Sequence, residues 1–277
     1  MTRIAILVAA HDEPAYLTRL VRHLTTSFSV YVHLDSASPL RQENLPRHPR
    51  LTLVASRRVR WGHLSMVEMM LDLHRAAYRN EHDRYLLISG KDVPIKTNDE
   101  ITAFFENEER EYVETIALPN PAWPDGGRRR IDRYHAYVPP ARAAGHARML
   151  YRARNWLVGN LTPARPMDRS FYFGSAWVNL SHAGVGALLQ RVDENPSLMQ
   201  RFRHTFLPEE AFIQTALMET ARRDFVVSND LRDTRFVGSS PHPETLALDD
   251  FARLQASGAL FARKVAPRSD GGLTDRV

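Results

Sequence analysis

The run Ile4-Ala5-Ile6-Leu7-Val8-Ala9-Ala10 is followed at once by His11-Asp12-Glu13-Pro14. An apolar run without alternation, stopped by polar residues and a proline, reads as a strand buried on both faces, here over residues 3–9. It is too short to cross a bilayer and carries no cleavage-site pattern, so we expect no targeting segment and no membrane span. Beyond the proline, Leu17, Leu20, Val21 and Leu24 recur at helical spacing and predict a helix over about 14–25. Residues 30–34 are a second strand, ending at Asp35-Ser36, and 51–55 a third. Ser65-Met66-Val67-Glu68 has the form of a capping box and predicts a helix to about residue 78. Residues 85–89 read as a fourth strand running into Gly90-Lys91-Asp92, and Thr97-Asn98-Asp99-Glu100 as a second capping box that opens a helix through Phe105. Strands alternating with helices predict an α/β fold, a mostly parallel central sheet with helices on both faces. In such sheets ligands sit off the carboxyl ends of the strands, where both Asp35 and Asp92 fall.

The rest of the chain is less regular. Residues 119–165 carry Pro and Gly breaks, aromatic patches and the cluster Arg128-Arg129-Arg130, and we expect an irregular surface region. A strand is expected over 171–180, helices over 184–192 and 209–222, a short strand over 225–227 and a helix over 249–256. The tail from Ala266 is polar and expected to be loose. No repeat and no linker divides the chain, so residues 1–277 read as a single domain.

Composition narrows the chemistry. There is no cysteine among the 277 residues, which removes disulfides, thiolate nucleophiles and cysteine-ligated metals, and is compatible with a reducing cytoplasm. Net charge is +5, with 37 Lys+Arg, and a basic balance suits nucleic acid, an anionic surface or a phosphorylated small molecule. Only Lys91, Lys96 and Lys264 are lysine, and such survivors of an arginine bias suggest sites where a compact ammonium is wanted. No dinucleotide fingerprint, phosphate loop or paired-His zinc motif is present, and no two aspartates are separated by one residue.

Five places could carry chemistry, each with a plainer explanation beside it. Asp35 could accept hydrogen bonds from a nucleoside, or be an ordinary turn aspartate. In Ser89-Gly90-Lys91-Asp92-Val93-Pro94-Ile95-Lys96, Asp92 could bind sugar hydroxyls and Lys91 or Lys96 a phosphate, or all could be solvated loop charges. Trp61, before Gly62, could stack on a base or sugar, or belong to the core; Glu68 reads as a cap. Glu209 and Glu210 follow Pro208 at a helix start, where acids stabilise the helix dipole; one of them could equally be a general base. Arg263-Lys264 could neutralise a diphosphate leaving group, or simply end an apolar segment.

Taken in order, these segments resemble the core-2/I-branching N-acetylglucosaminyltransferase and protein xylosyltransferase family, glycosyltransferase family 14. The resemblance rests on Ile4 to His11, Val30 to Asp35, Trp61 to Glu68, Leu87 to Lys96, Gly174-Ser175-Ala176-Trp177, Pro208 to Phe212, Ser240-Pro241-His242-Pro243 and Leu260 to Lys264. It implies a glycosyltransferase-A-type fold, a UDP-sugar donor and inversion without a metal or other cofactor. It makes Glu210 the general base, Lys264 a diphosphate ligand and Asp35 a uridine contact. Ala10, Trp61, Asp92, Arg263 and His242 join the donor side, and Trp177 and Glu209 the acceptor side. The family's second diphosphate-binding arginine has no counterpart at Pro241-His242, so Arg263 or His242 is expected in its place. Residues 1–110 would then be a nucleotide-binding half, 111–265 an acceptor and catalytic half, and 266–277 a tail.

The expected protein is thus a short, bacterial-type, cytoplasmic transferase moving N-acetylglucosamine or xylose to a glycan, peptide or small-molecule hydroxyl. A second reading is a non-catalytic nucleotide- or glycan-binding module, which would keep Asp35 and Trp61 but need neither Glu210 nor Lys264. Nucleic-acid binding through residues 128–130, with Trp123, Tyr134 and Tyr137 interleaved, is a third reading that no recognition motif supports, and no nucleic-acid partner is expected.

Overall fold

Strand β1 (Ile4–Ala10), helix α1 (Pro14–Thr25), β2 (Ser29–Leu34), β3 (Leu51–Val54), α2 (Leu64–Tyr78), β4 (Arg84–Ser89), the short β5 (Val93–Pro94) and α3 (Asn98–Phe104) follow one another in the order expected. The computed structural model describes residues 2–135, 145–237, 243–267 and 269–276. The remaining elements are β6 (Glu111–Tyr112), β7 (Ile116–Leu118), α4 (Arg129–Asp132), α5 (Gly145–Leu161), β8 (Phe171–Phe173), β9 (Asn179–Ser181), α6 (His182–Glu194), α7 (Pro196–Phe202), α8 (Phe212–Met218), β10 (Val226–Val227), β11 (Arg232–Thr234), α9 (Phe251–Ala256), β12 (Phe261–Arg263) and α10 (Leu273–Arg276).

The central sheet has the order β10-β6-β9-β4-β1-β2-β3. β1 pairs in parallel with β2 and β4, β2 with β3, and β6 with β10; β9 alone runs antiparallel to its neighbours β4 and β6. Strand alternation divides the core in two. Ile4, Ile6, Val8 and Ala10 face α1, with Leu17, Leu20, Val21 and Leu24. Ala5 and Leu7 face α2, α6 and α8, with Met70, Leu73, Leu188 and Phe212. Both sides of β1 are therefore apolar, which is why its sequence shows no period of two. A small sheet of order β11-β12-β5 brings the late strand β12 back against the loop after β4.

Several local expectations are corrected. The box at Thr97 forms, its hydroxyl accepting from the Glu100 N–H at 3.2 Å and the Glu100 carboxylate from the Thr97 N–H at 2.7 Å. The box at Ser65 does not: α2 starts two residues earlier, His63 caps it by accepting from the Ser65 N–H, and Glu68 pairs with Arg57 at 2.6 Å. The strand expected over 171–180 breaks into β8 and β9. Gly174 lies between them, donating its N–H to the Glu210 carbonyl at 2.8 Å, and a Cβ there would stand 2.0 Å from the Glu114 carbonyl oxygen. The region 119–165 is not wholly irregular, since it contains α5. The tail is not loose either: Leu273 is fully buried and the Asp270 carboxylate accepts from the Gly272 and Thr274 N–H groups.

Candidate functional site

The parallel run of β1, β2 and β4 places Ala10, Asp35 and residues 89–92 at one edge of the sheet. The Asp35 N–H donates to the Ala10 carbonyl at 2.9 Å, and one carboxylate oxygen accepts from the Ala37 and Val59 N–H groups at 2.9 and 3.1 Å. The turn role anticipated for Asp35 is therefore present. Asp35 also lines a cleft of ≈ 480 Å³ with Leu34, Ser36, Arg41, Val54 and Ser56. Ala10 offers a donor little: it is buried, its carbonyl is taken by Asp35, and a Cβ on Gly90 would meet its Cβ at 3.3 Å.

Asp92 is fully buried, and both of its oxygens are engaged. One accepts from the Ser89 hydroxyl at 2.6 Å and from Arg263 at 3.1 Å; the other accepts from the Ser89 N–H at 3.1 Å and lies 3.7 Å from Arg232 Nε. A carboxylate so occupied does not reach a sugar hydroxyl; it orients Arg263, whose guanidinium also lies over the Trp177 ring at 4.5 Å. Trp177, expected on the acceptor side, thus has a cation against its ring. Lys91 pairs with Asp12 at 3.2 Å, and its carbonyl accepts from the Val265 N–H at 2.9 Å, lashing the segment after β12 to the loop after β4. Lys264 lies in electrostatic reach of Lys91 and Arg263. Partial burial, then Lys91 and Arg263, push its pKa down, and it makes no ion pair among the described residues. Lys91, Arg263 and Lys264 thus share one neighbourhood, with His11 and Asp35 in electrostatic reach of Lys91 and Arg263 through His11. Lys96 is elsewhere, donating to the Gln255 carbonyl at 3.3 Å. His242 lies outside the described residues. Arg235, the arginine nearest before it in the chain, pairs with Glu244 at 2.6 Å and Asp250 at 3.0 Å.

The two glutamates do not open a long helix. Pro208–Glu210 is a separate 3₁₀ turn, entered through Leu207 at φ 52° and left through Ala211 at φ −138°, before α8 begins. The helix dipole expected to keep Glu210 ionised is therefore weak there, and burial dominates. Glu209 is only 3% exposed. One oxygen accepts from the Gly62 N–H at 3.0 Å and the other has no partner. Burial, reinforced by Glu210, pushes Glu209 up to about 8. Its work is to hold the Trp61-Gly62 turn, so the expected acceptor contact is corrected; the Trp61 ring above it is half exposed.

Because the folded pKa of Glu209 is raised, its contribution to stability is complete below about 4.5 and lost as pH rises through about 8. Glu209→Gln keeps an acceptor for Gly62 and removes that loss. Denaturant unfolding near pH 9 should find the variant more stable by roughly 2–4 kcal/mol, with the gap closing toward pH 4. Parallel pH profiles would refute this role.

Glu210, at 32% side-chain exposure, opens to solvent. Burial, with help from Glu114, pushes it up to about 7 against the opposing pull of Arg130, which lies 3.6 Å away. Sequence reasoning missed both neighbours. Glu114 accepts from the Ser175 N–H at 2.7 Å. Arg130 is wedged among Trp123, Phe173 and Phe206 at 5.4, 4.2 and 5.8 Å. Arg130 and the aromatic Trp123 of the pattern that reads as a nucleic-acid signal are thus engaged internally, as is Tyr134 against Arg165 at 5.0 Å, while Arg128 and Arg129 stay exposed; Tyr137 lies outside the described residues.

Residues 174–178 join the two sides. Gly174 bonds the Glu210 carbonyl, Ser175 bonds Glu114 and accepts from Gln214, and Trp177 carries Arg263. Glu210, with its near-neutral pKa, and Arg263 therefore flank one five-residue segment, and Lys264 lies in electrostatic reach of Arg263 and Lys91. Among the described residues no group of three or more His, Asp or Glu side chains is placed to hold a metal ion.

Known proteins resemble the chain in sequence and, more distantly, in fold. A beta-glucuronosyltransferase, GlcAT14B of Arabidopsis thaliana, is 26% identical over 216 residues, which are 74% of this chain and 46% of that protein. The chain thus spans about half the length of this curated relative. Two solved structures resemble it more distantly. The apo bifunctional glycosyltransferase WbbM has a TM-score of 0.43 and 12% identity over 96% of this chain and 47% of that one. An active-site mutant of LgtC has a TM-score of 0.44 and 10% identity over 97% of this chain and 91% of that one. The Core-2/I-Branching enzyme model matches residues 14–255, which hold every strand of the central sheet except β1, and the chain belongs to that family.

Proposed function

We propose that the protein is an inverting glycosyltransferase that moves a sugar from a UDP-sugar to an acceptor hydroxyl. The observation that carries this reading is the pairing of Glu210, with a pKa near 7, and the Lys91-Arg263-Lys264 cluster across residues 174–178. Glu210 takes the proton of the acceptor hydroxyl. The freed oxygen lone pair attacks the anomeric carbon from the face opposite the diphosphate. The bond from that carbon to the diphosphate oxygen breaks, and its electron pair leaves with the UDP. Lys264, with Arg263 and Lys91, meets the developing negative charge in a fixed arrangement, which is the condition under which charge stabilisation accelerates a reaction. Uridine would occupy the cleft beside Asp35, with Trp61 available to stack.

In this reading residues 1–110 form the donor half and 111–265 the acceptor half, with β12 and Lys264 returning to the donor edge. N-acetylglucosamine and xylose are the donor sugars proposed from the family resemblance, and the Arabidopsis relative adds glucuronic acid to the choice. A glycan, peptide or small molecule supplies the hydroxyl. The cytoplasm remains the proposed compartment. Among the described residues no helix is long and apolar enough to cross a membrane.

Release of UDP from a panel of these donors, with and without acceptor, tests the reading; no release from any donor across acceptor classes contradicts it. Fixed cations in place of a divalent ion also imply that EDTA leaves the rate within about twofold, whereas a metal ion that clamps the leaving group would be worth several kcal/mol. A rate abolished by EDTA and restored by manganese would overturn that part of the account.

A further inference from the structure

Helix α5 turns its apolar side outward. Met149, Leu150, Trp156, Leu157 and Leu161 are 47% to 74% exposed. They are five of the ten large apolar side chains exposed among the described residues, so the patch is concentrated on one element. At about 100° per residue they form one stripe, bordered by the exposed Arg152 on the Trp156 side and Arg154 on the Leu161 side. The inward side of the helix meets Arg129 of α4 and Arg133. Gly159 is its one buried residue among those described. Asn160 accepts from Arg129 at 3.4 Å, and the Gly159 carbonyl from Arg133 at 3.5 Å. A helix gains most of its stability by burying an apolar face, and this one leaves that face to solvent.

We infer that the outward face of α5 docks on an anionic lipid surface, with the apolar stripe at the headgroup boundary and the arginines against lipid phosphates. Charge identifies the occupant. No carboxylate occurs from residue 133 to 167, and Arg148, Arg152 and Arg154 of α5 itself are exposed. A second copy of the chain on this face would set arginine against arginine, whereas an acidic bilayer complements both the stripe and its margins. Trp156 at the stripe's edge suits an interface that is apolar on one side and wet on the other. The docked surface lies close to the catalytic cleft: Arg129 of α4 holds α5, and Arg130 of the same short helix pairs with Glu210. The inference does not depend on the chemistry proposed above.

Co-sedimentation of the whole chain with vesicles tests it. Equal mixtures of phosphatidylglycerol and phosphatidylcholine should bind the protein at least about tenfold better than phosphatidylcholine alone. Salt should weaken that binding, and the tryptophan emission should move to the blue. The triple variant Met149→Ser, Leu157→Ser, Leu161→Ser keeps Trp156 as reporter and should lose about tenfold in partition and the blue shift, with an unchanged thermal midpoint because these side chains are exposed. Trp156→Phe should lose the shift and keep most of the binding. Equal binding to neutral vesicles, retention by the triple variant, or a concentration-dependent dimer that the triple variant dissolves would overturn the proposal.

Discussion

Glu210→Gln should lower single-turnover transfer at least about a hundredfold while donor affinity changes less than about twofold, because general-base catalysis is worth roughly 10²–10⁴. The amide keeps the size of the side chain and its place beside Arg130 but cannot accept the proton. The backbone carbonyl of residue 210 still receives the Gly174 N–H, so the segment that carries Trp177 is not disturbed. A pH profile separates loss of a base from loss of shape. In the wild type kcat/KM should rise with pH through about 7 and then level, since the carboxylate is active only when deprotonated and burial holds it near that value. The variant should show a low rate without that limb. Turnover within about threefold of wild type would remove Glu210 from the base role.

Lys264→Gln should lower kcat by roughly 10²–10³ and weaken donor binding as well, on the scale seen when one preorganised charge is withdrawn from a developing anion. Its neighbours replace it only in part, because each also holds a carboxylate. Arg263 is committed to Asp92 and Lys91 to Asp12, whereas Lys264 makes no ion pair among the described residues. Partial burial and then the two neighbouring cations lower its pKa, and an incoming diphosphate offsets the like charges. Lys96→Gln is the internal control and should change neither constant, since Lys96 donates only to an exposed carbonyl on α9. A Lys264→Gln enzyme as fast as that control would contradict the role given to this residue.

How far the sequence is legible depends on how local each cause is. β1 and β4 are apolar on both faces, and their own composition records it; the capping box at Thr97 needs only four residues. Glu209 and Glu210 are adjacent, and nothing in the chain says which of them opens to solvent. That follows from the isolated 3₁₀ turn at Pro208 and from Gly62, which takes an oxygen of Glu209. The near-neutral pKa of Glu210 comes first from its burial and then from the opposed charges of Arg130 and Glu114, both remote in sequence and neither part of a motif. Asp92 has the position of a ligand residue after β4, yet Arg232 and Arg263 arrive from the far end of the chain to occupy it. The lysine bias is informative: Lys91 and Lys264 converge, and Lys96 does not. α5 escapes the sequence reading because the Pro and Gly breaks on either side of it give the whole region an irregular look.

The most direct measurement is a structure with the donor bound. The account predicts the diphosphate oxygens within hydrogen-bond distance, about 3 Å, of Lys264 Nζ and Arg263, and the Glu210 carboxylate facing the anomeric carbon from the opposite side. A diphosphate bound away from Lys264, or a Glu210 walled off from the sugar by protein, would contradict it.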